Sequence, residues 1–292
     1  MKIGLMLGGG GAFGAYQVGV IKALIEEDIL PQIKVMSGTS IGAINIVMLM
    51  ADLTIDQIEE LWENINNEVI YKNKNPYFKN PEKSLVNVGP LYELLTSDLS
   101  TEKVKNSEIR GYATLKKLKS PKISQQINYF AGEKTCILIN AAKNPFQVVK
   151  GSASVPMLFG STKIGDSYYV DGGMVDNNPI DPLLEEECNI ILAVPLATSL
   201  DIKPYHDKKI LIVDFKDNEI FSRSEAINNI KSMDFDVKMM KNLQIEGYKW
   251  GKFIIESLRK LHIIVDNQFK IDIKDFKYYN LERLEGEINE LS

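Results

Sequence analysis

Residues 2–51 read KIGLMLGGGGAFGAYQVGVIKALIEEDILPQIKVMSGTSIGAINIVMLMA. A short apolar run, 2–7, is followed by a glycine-rich loop and then by a helical pattern over about 14–28. A second apolar run, 34–37, leads through a tight turn into an apolar helix that starts at Ile41. Strands that alternate with helices in this way predict an α/β fold, with a mainly parallel central sheet and helices on both faces.

The tight turn contains the motif Gly38-Thr39-Ser40-Ile41-Gly42, which has the G-x-S-x-G spacing. This motif is typical of a nucleophilic serine on a sharp turn from a strand to a helix, where glycines avoid side-chain clashes. The turn holds the Ser40 hydroxyl at the edge of the sheet, and the positive end of the following helix favours an oxyanion there. Chance produces the same spacing in ordinary tight turns, but the flanking strand and helix favour a nucleophile.

The glycine loop, 8–14, admits several interpretations. Gly9, Gly11 and Gly14 have the spacing of a dinucleotide-binding loop, but the second strand does not end in the acidic residue that would bind a ribose hydroxyl. A P-loop is disfavoured, because no Gly-Lys-Ser/Thr follows. The remaining functional hypothesis is an oxyanion hole made of unhindered backbone N–H groups at a helix start. The structural alternative is a turn required by packing.

A third motif, Asp171-Gly172-Gly173, follows a short apolar strand at 168–170. By itself such a triplet is typical of a turn. An aspartate at the carboxyl end of a strand nevertheless lies at the edge where α/β proteins form their sites, and a carboxylate of raised pKa can deprotonate a serine. The two histidines of the chain, His206 and His262, lie near none of the motifs. These features together suggest a serine hydrolase whose base is a carboxylate.

Four blocks in this order resemble the patatin-like phospholipase family. They are GGGGAFGAYQVGV (8–20), GTSIGA (38–43), GSASVPMLF (151–159) and the DGG and NNP triplets within 171–179. The resemblance extends over about 2–196. It implies a patatin-like three-layer sandwich and a phospholipase A-type hydrolase that cleaves lipid esters through an acyl-enzyme.

The resemblance also implies roles for particular residues. Ser40 and Asp171 would form a catalytic dyad that works without histidine. The glycine loop would provide the oxyanion hole. The residues implied for the hole are Gly9, Gly10 and Gly11, and the supporting motif residues are Gly14, Gly38, Gly42, Gly172 and Gly173. The family commonly has Arg or Lys where this chain has Phe13, so a positive charge near the loop is missing, which affects the strength of the hole or the head-group preference.

Beyond the motifs, we predict a catalytic domain over 1–200 and a mostly helical extension over 201–292 that packs on it. The extension includes one expected strand near 210–215. Two segments, 124–130 and 135–140, are predicted to form a β-hairpin with a turn at 131–134 between them.

Composition limits the classes of partner and compartment. The 292 residues carry a net charge of -5, with 45% apolar and 25% charged residues, which argues against a nucleic-acid-binding protein. We expect no secretory signal, because only a short apolar stretch precedes the glycine loop and no cleavage-site pattern follows it. We expect no transmembrane helix, because the apolar stretch 41–53 is shorter than the roughly 20 residues that span a bilayer. Cys136 and Cys188 are predicted to be reduced core thiols. No metal-ligand spacing appears, so no cofactor or metal is expected.

These observations predict a cytoplasmic protein that acts on a lipid ester, with transient or peripheral contact with a membrane left open. The loop 72–88 interleaves lysines with aromatic side chains, which is typical of an interfacial lid and, more often, of a solvated insertion. A short helix is predicted after Pro90. The sequence specifies no oligomeric state.

Two alternatives to the dyad hydrolase stay open at this point. One is an esterase with a histidine triad, whose chain order is met by Ser40, Asp171 and either His206 or His262. The other is a non-catalytic module of the same fold that binds a lipid or a nucleotide, and Phe13 is the feature in its favour.

Overall fold

The computed structural model of the chain describes residues 1–71, 99–128, 130, 132–156, 159–221 and 224–291. The loop predicted at 72–88, the helix predicted after Pro90, and Met157 and Leu158 of the third motif block lie outside these residues. No helix in the described ranges has both the length and the apolar character required to cross a lipid bilayer.

The strands and helices alternate along the first half of the chain as expected. The strands are β1 (Ile3–Leu7), β2 (Val35–Thr39), β3 (Arg110–Leu118), β4 (Glu133–Leu138), β5 (Thr162–Ile164), β6 (Ser167–Asp171), β7 (Ile190–Val194), β8 (Leu211–Asp214), β9 (Ile264–Val265), β10 (Gln268–Phe269) and β11 (Lys277–Tyr279). The helices are α1 (Gly14–Glu26), α2 (Ile41–Met50), α3 (Ile55–Asn64), α4 (Asn67–Tyr71), α5 (Thr101–Asn106), α6 (Ile123–Ile127), α7 (Pro145–Ser152), α8 (Asp181–Glu185), α9 (Glu225–Lys231), α10 (Val237–Lys260) and α11 (Leu281–Leu291).

One large sheet organises the described part of the chain. Its strands follow the order β11-β8-β7-β1-β2-β3, and each neighbouring pair in this series is parallel. Beyond this series, β3 pairs antiparallel with both β4 and β6, and β6 pairs antiparallel with β5. Because most strands are parallel, the carboxyl ends of β1, β2, β7 and β8 meet at the same edge, where α/β proteins form their sites.

Helices cover both faces of this sheet. Side chains alternate between the faces along a strand, and in β1 Leu5 and Leu7 join the core cluster that contains α1, α2 and α10. Met6 points to the opposite face and packs with Ile180 and Leu183 at the start of α8. The predicted α/β fold, with a mainly parallel sheet between layers of helices, is therefore confirmed.

Helix α10 packs against α1 at very close range. The contact depends on glycines: a Cβ at Gly19 would lie 2.0 Å from the Gln244 carbonyl oxygen, and one at Gly247 would lie 2.1 Å from the Tyr16 carbonyl oxygen. Just beyond α1, Glu27 forms ion pairs with Lys252 and Arg259 of α10. The long C-terminal helix is thus attached directly to the first helix of the chain.

The sheet includes strands from before and after residue 200. β8 lies within the region predicted as a strand at 210–215 and is parallel to β7, and β11 extends the sheet beyond β8. The division into a domain over 1–200 and an extension over 201–292 stays a prediction.

The predicted hairpin between 124–130 and 135–140 is wrong. The first of these runs contains α6 (Ile123–Ile127), and β4 pairs instead with β3. β3 is nine residues long, and on one edge it is covered first by β2 and then by β6. β4 covers the opposite edge, which would otherwise expose unpaired backbone groups.

Candidate active site

The candidate site forms where two strands meet end to end along one edge of β3. β2 runs parallel to the first half of β3, and its last residue, Thr39, pairs with Thr114. β6 runs in the opposite direction along the second half, and its last residue, Asp171, pairs with Leu115. β4 pairs with residues 112–117 of β3 and therefore occupies the other edge, so β2 and β6 share theirs. This arrangement brings Ser40, the residue after Thr39, to Asp171.

Ser40 lies in a strained turn. Its backbone has φ 56° and ψ -121°, in the left-handed half of conformational space that a side chain rarely adopts, and α2 begins at the next residue. The flanking glycines are required by contact: a Cβ at Gly42 would lie 2.1 Å from the Leu7 carbonyl oxygen, and one at Gly38 would lie 2.7 Å from the carbonyl carbon of Gly42. The turn predicted from the sequence is therefore present, with the serine at its apex.

A buried serine that the sequence did not single out holds this turn in place. The backbone N–H of Ser40 donates to Ser152 Oγ at 2.9 Å, and that hydroxyl donates to the Thr114 carbonyl at 2.7 Å. Two residues later, the Ser154 carbonyl accepts from the Asp171 backbone N–H at 2.9 Å. One short segment thus binds the backbone of both predicted catalytic residues. Its signal in the sequence was the third motif block, to which no role was assigned.

Burial governs the carboxyl group of Asp171, whose residue is 7% exposed. Loss of solvent raises its pKa from the usual 3.8 to about 6, although hydrogen bonds from the Ser40 side chain and the Gly173 backbone partly offset the rise. The Gly173 N–H donates to Oδ1 at 2.7 Å. No charged side chain in the described residues contributes to this shift. A carboxylate in this state is ionised at neutral pH and basic enough to accept a proton.

The glycine loop presents two uncommitted amides. The Gly9 N–H donates to the Asn177 carbonyl at 3.1 Å, and the Asn177 side-chain amide donates back to the Gly9 carbonyl at 3.0 Å. The Ala12 N–H donates to the Ser232 carbonyl at 2.8 Å. Between them, the N–H groups of Gly10 and Gly11 have no hydrogen-bond acceptor among the described residues.

The residues after Asp171 connect the two halves of the site. A Cβ at Gly172 would lie 2.4 Å from the Thr114 carbonyl oxygen, so this glycine allows the loop to touch β3. Downstream, Asn177 holds the glycine loop, and the Asn178 side chain donates to the Thr198 hydroxyl at 3.0 Å, just beyond β7. The two asparagines of the fourth block therefore bind neighbouring loops, a role that the sequence did not reveal.

A cavity of about 310 Å³ lies at the centre of the site. Ser40, Asp171 and the glycines at 9–11 line it together. Its other walls are mainly apolar and include Ile41, Ile44, Val155, Pro156, Phe159 and Phe235. The segment 229–235, which comprises the end of α9 and part of the connection to α10, contributes one wall. The sequence pattern of the C-terminal region did not predict this wall. The cavity has the composition of a site for an apolar ligand with a polar reacting group.

Comparison with known proteins identifies the family of the chain. The sequence model of the patatin-like phospholipase family matches residues 5–184, which is more than half of the chain. The chain belongs to this family. The resemblance seen in the four motif blocks is thereby confirmed.

Individual relatives share limited lengths with this patatin-like chain. Lysophospholipase NTE1 of Kluyveromyces lactis is 28% identical over 211 residues, which make up 69% of the chain and 13% of that protein. Triacylglycerol lipase 5 of Saccharomyces cerevisiae is 34% identical over 85 residues, which make up 29% of the chain and 11% of that protein. The chain thus spans a small part of the length of these curated relatives. VipD from Legionella pneumophila shares the fold, with a TM-score of 0.50, 13% identity, and coverage of 88% of the chain and 67% of VipD.

The position at which the patatin-like family commonly has a basic residue is part of the core in this chain. Phe13 is 5% exposed, and its ring centroid lies 5.3 Å from that of Phe221. Neither histidine belongs to the cavity lining. His206 is exposed and stacks on Phe276, with centroids 4.9 Å apart, and the exposed His262 follows the end of α10.

Proposed function

We propose that this patatin-like chain is a serine acyl hydrolase that cleaves ester bonds of lipids. Ser40 is the nucleophile and Asp171 is the general base. The observation that carries the proposal is the convergence of the strained serine, the buried carboxyl group of raised pKa and two uncommitted amides on one apolar cavity. Family membership and the names of the lysophospholipase and lipase relatives support a lipid as the substrate.

In the first step, Ser40 Oγ forms a bond to the ester carbonyl carbon while its proton passes to Asp171. The carbonyl oxygen becomes negatively charged, and backbone N–H groups stabilise it. Because the Gly9 amide already donates to Asn177, we assign the oxyanion to the amides of Gly10 and Gly11, and a positioning role to Gly9.

In the following steps, Asp171 serves first as an acid and then again as a base. The tetrahedral intermediate collapses, the C–O bond to the alcohol breaks, and the alcohol leaves with the proton from Asp171. Water then attacks the acyl group on Ser40 and gives a proton to Asp171. The C–O bond to Ser40 breaks, the fatty acid leaves, and Asp171, again as an acid, returns the proton to Ser40 Oγ. No step requires a histidine.

Labelling and hydrolysis test this mechanism together. A fluorophosphonate probe should modify Ser40, and the purified chain should release fatty acid from a phospholipid or lysophospholipid. Ser40→Ala and Asp171→Ala should each lower kcat by about a thousandfold or more while the fold is retained. Ser167→Ala, at the other end of β6, is the matched serine control and should keep full activity.

The same assays separate the alternatives. Replacement of His206 and His262 together should leave hydrolysis unchanged, whereas a histidine triad requires its loss. A non-catalytic lipid-binding module would bind lipid without reacting with the probe. Full activity of either dyad variant would refute the proposed mechanism.

A further inference from the structure

Exposed apolar side chains cluster at the tip of the β3–β4 hairpin. Phe130 is 95% exposed and Ile127 is 49% exposed, and both lie on the connection between the two strands. The adjacent β5–β6 hairpin adds the half-exposed ring of Tyr168, over which the Lys163 ammonium lies at 5.9 Å from the centroid. We call this the tip surface, and its members are Lys119, Lys122, Ile127, Phe130, Lys163 and Tyr168.

Hydrogen bonds restrain the backbone at Phe130. The buried Lys116 ammonium donates to the Asn128 carbonyl at 2.6 Å, which anchors the connection to β3. The Asn128 side chain in turn accepts from the Phe130 backbone N–H at 3.0 Å. A backbone restrained in this way has less conformational freedom to lose when the exposed side chain enters an apolar phase, which favours association.

The tip surface projects from the same edge of the sheet that carries Ser40. β3 continues four residues beyond Thr114, the partner of Thr39, and at about 3.3 Å per residue its end lies about 13 Å past the level of the serine turn. Leu118 at that end pairs with Tyr168, so the two hairpin tips stand side by side. A flat partner on this edge would meet the tip surface before the rest of the sheet.

The charge of the tip surface indicates the kind of partner that it binds. Although the chain carries a net charge of -5, Lys119, Lys122 and Lys163 form no ion pair with any described residue. Of the nearby acidic residues, Glu133 lies directly opposite Lys117 in the β3–β4 ladder, which leaves the exposed Asp166 in the β5–β6 turn. Aromatic and aliphatic side chains beside unpaired lysines suit the interface of an anionic lipid bilayer.

We propose that the tip surface docks the protein on bilayers that contain anionic phospholipid. Phe130 and Ile127 enter the boundary between head groups and acyl chains, while the lysines approach the lipid phosphates. This docking goes beyond the proposed hydrolase activity and does not require chemistry at Ser40, so it can be measured in a chain that cannot hydrolyse the vesicles.

Vesicle sedimentation tests the docking directly. The full chain with Ser40→Ala is mixed with vesicles of phosphatidylcholine alone, or with one phosphatidylglycerol for every two phosphatidylcholine molecules. We expect binding to the anionic vesicles at least about tenfold tighter than to the neutral ones, weakening as salt rises. When Phe130→Ser and Ile127→Ser are introduced together into the Ser40→Ala chain, binding to the anionic vesicles should fall by about tenfold or more. Lys119→Glu with Lys122→Glu should reduce it by about thirtyfold or more and remove most of the salt dependence.

Matched controls locate the effect on the tip surface. Lys209→Glu with Lys274→Glu makes the same charge change near the amino ends of β8 and β11, and Ile245→Ser removes an apolar side chain that is 52% exposed on α10. Both controls should bind like the parent. In the chain with Ser40 intact, the tip variants should hydrolyse a soluble short-chain ester at the parental rate.

Each result bears on one proposal. Equal binding to both vesicle types, or equal binding by parent and tip variants, would overturn the docking surface, and a loss of vesicle binding in the controls would do the same. Absence of short-chain hydrolysis by the parent would instead contradict the proposed function while leaving the docking result intact.

Discussion

The raised pKa of Asp171, which suits a general base, lowers the stability of the protein at neutral pH. Its pKa is about 6 in the folded chain and 3.8 in its usual environment, so the folded state retains a proton between these values that the unfolded state has lost. The contribution of this group to the free energy of unfolding is therefore highest below pH 4 and falls as pH rises from 4 to 6. Above that window the loss is about 2–3 kcal/mol.

Asp171→Asn should remove this loss, because the amide is neutral at every pH. We expect the variant to unfold with a free energy about 2–3 kcal/mol higher than the parent at pH 8 and nearly equal to it near pH 4, as measured by urea titration. Asp166→Asn makes the same substitution in an exposed turn and serves as the control. A variant that is less stable than the parent at pH 8 would contradict the assigned pKa.

The pH dependence of hydrolysis should report the same carboxyl group. A general base must be ionised, so kcat/KM for an uncharged soluble ester should rise about tenfold per pH unit below 6 and level off above it. The initial-rate profile of the parent checks this expectation. A rate that stays constant down to pH 4.5 would assign the base to another group.

Ser152 is expected to act on catalysis through the position of Ser40. Ser152→Ala leaves the Ser40 N–H without its buried acceptor, and we expect kcat to fall by about ten- to a hundredfold with little change in KM. Ser154→Ala is the matched control. The Ser154 hydroxyl donates to the Lys150 carbonyl and contacts Thr162. Ser154 binds Asp171 only through its backbone carbonyl, so kcat should stay unchanged in this variant. Equal losses in both variants would show a general packing role instead.

At the scale of residues, the sequence indicates groups that need special local geometry. Ser40 and Asp171 can be singled out because glycines beside them permit turns, and their catalytic roles stay predictions. Ser152 carries no such mark, because its partners are Ser40, just after β2, and Thr114 on β3, and their positions depend on strand register. The commitment of the Gly9 amide to Asn177 is equally invisible, since 168 positions separate the two residues.

Gly247 lies in the contact between α1 and α10 and should not tolerate a side chain, whereas Gly286 in α11 should tolerate one. In Gly247→Ala the new methyl group would meet the Tyr16 carbonyl oxygen at 2.1 Å, so the helices must separate, and we expect a loss of about 1–3 kcal/mol in the free energy of unfolding. Gly286→Ala, in α11, meets nothing within 4 Å and should gain up to about 1 kcal/mol from helix propensity. Urea titrations of both variants measure the contrast, and equal effects would contradict the close packing.

Among the elements, prediction succeeded where the pattern was local. The strands and helices of residues 3–50 follow from apolar periodicity and glycine turns. β3 and β11 escaped prediction, because pairing with other strands decides these elements. The segment 124–130 was wrongly predicted to be a strand, whereas most of α6 lies within it. In β3, for example, an exposed Arg110 and two consecutive lysines obscure the alternation that marks a strand.

For the whole molecule, the predicted extension should be inseparable from the catalytic half. A chain that ends at residue 200 loses β8, which covers β7, and α10, which covers α1, together with the cavity wall at 229–235. We expect this truncated chain to lack a cooperative urea transition and to hydrolyse no ester. A soluble, cooperatively folded and active fragment would show instead that residues 1–200 are an autonomous domain.

The order of the strands in the sheet bears more directly on the number of domains than the length of the chain does. A change in pattern after residue 200 suggested an appendage, but periodicity cannot reveal that a later strand joins an earlier sheet. The wall at 229–235 was hidden for the same reason, because the hydrogen bond between Ala12 and Ser232 joins residues that are far apart in the sequence.

Because β2 and β6 meet end to end along β3, the position of the Asp171 carboxyl group relative to the Ser40 hydroxyl can change only in steps of strand register. A slip of β6 by one residue along β3 would displace the carboxyl group by about 3.3 Å and turn it to the opposite face. Intermediate placements do not exist. Mutations that loosen the β5–β6 hairpin should therefore divide the molecules into a fully active fraction and an inactive one. Active-site titration would then count fewer active molecules, and each of these would turn over at the parental rate.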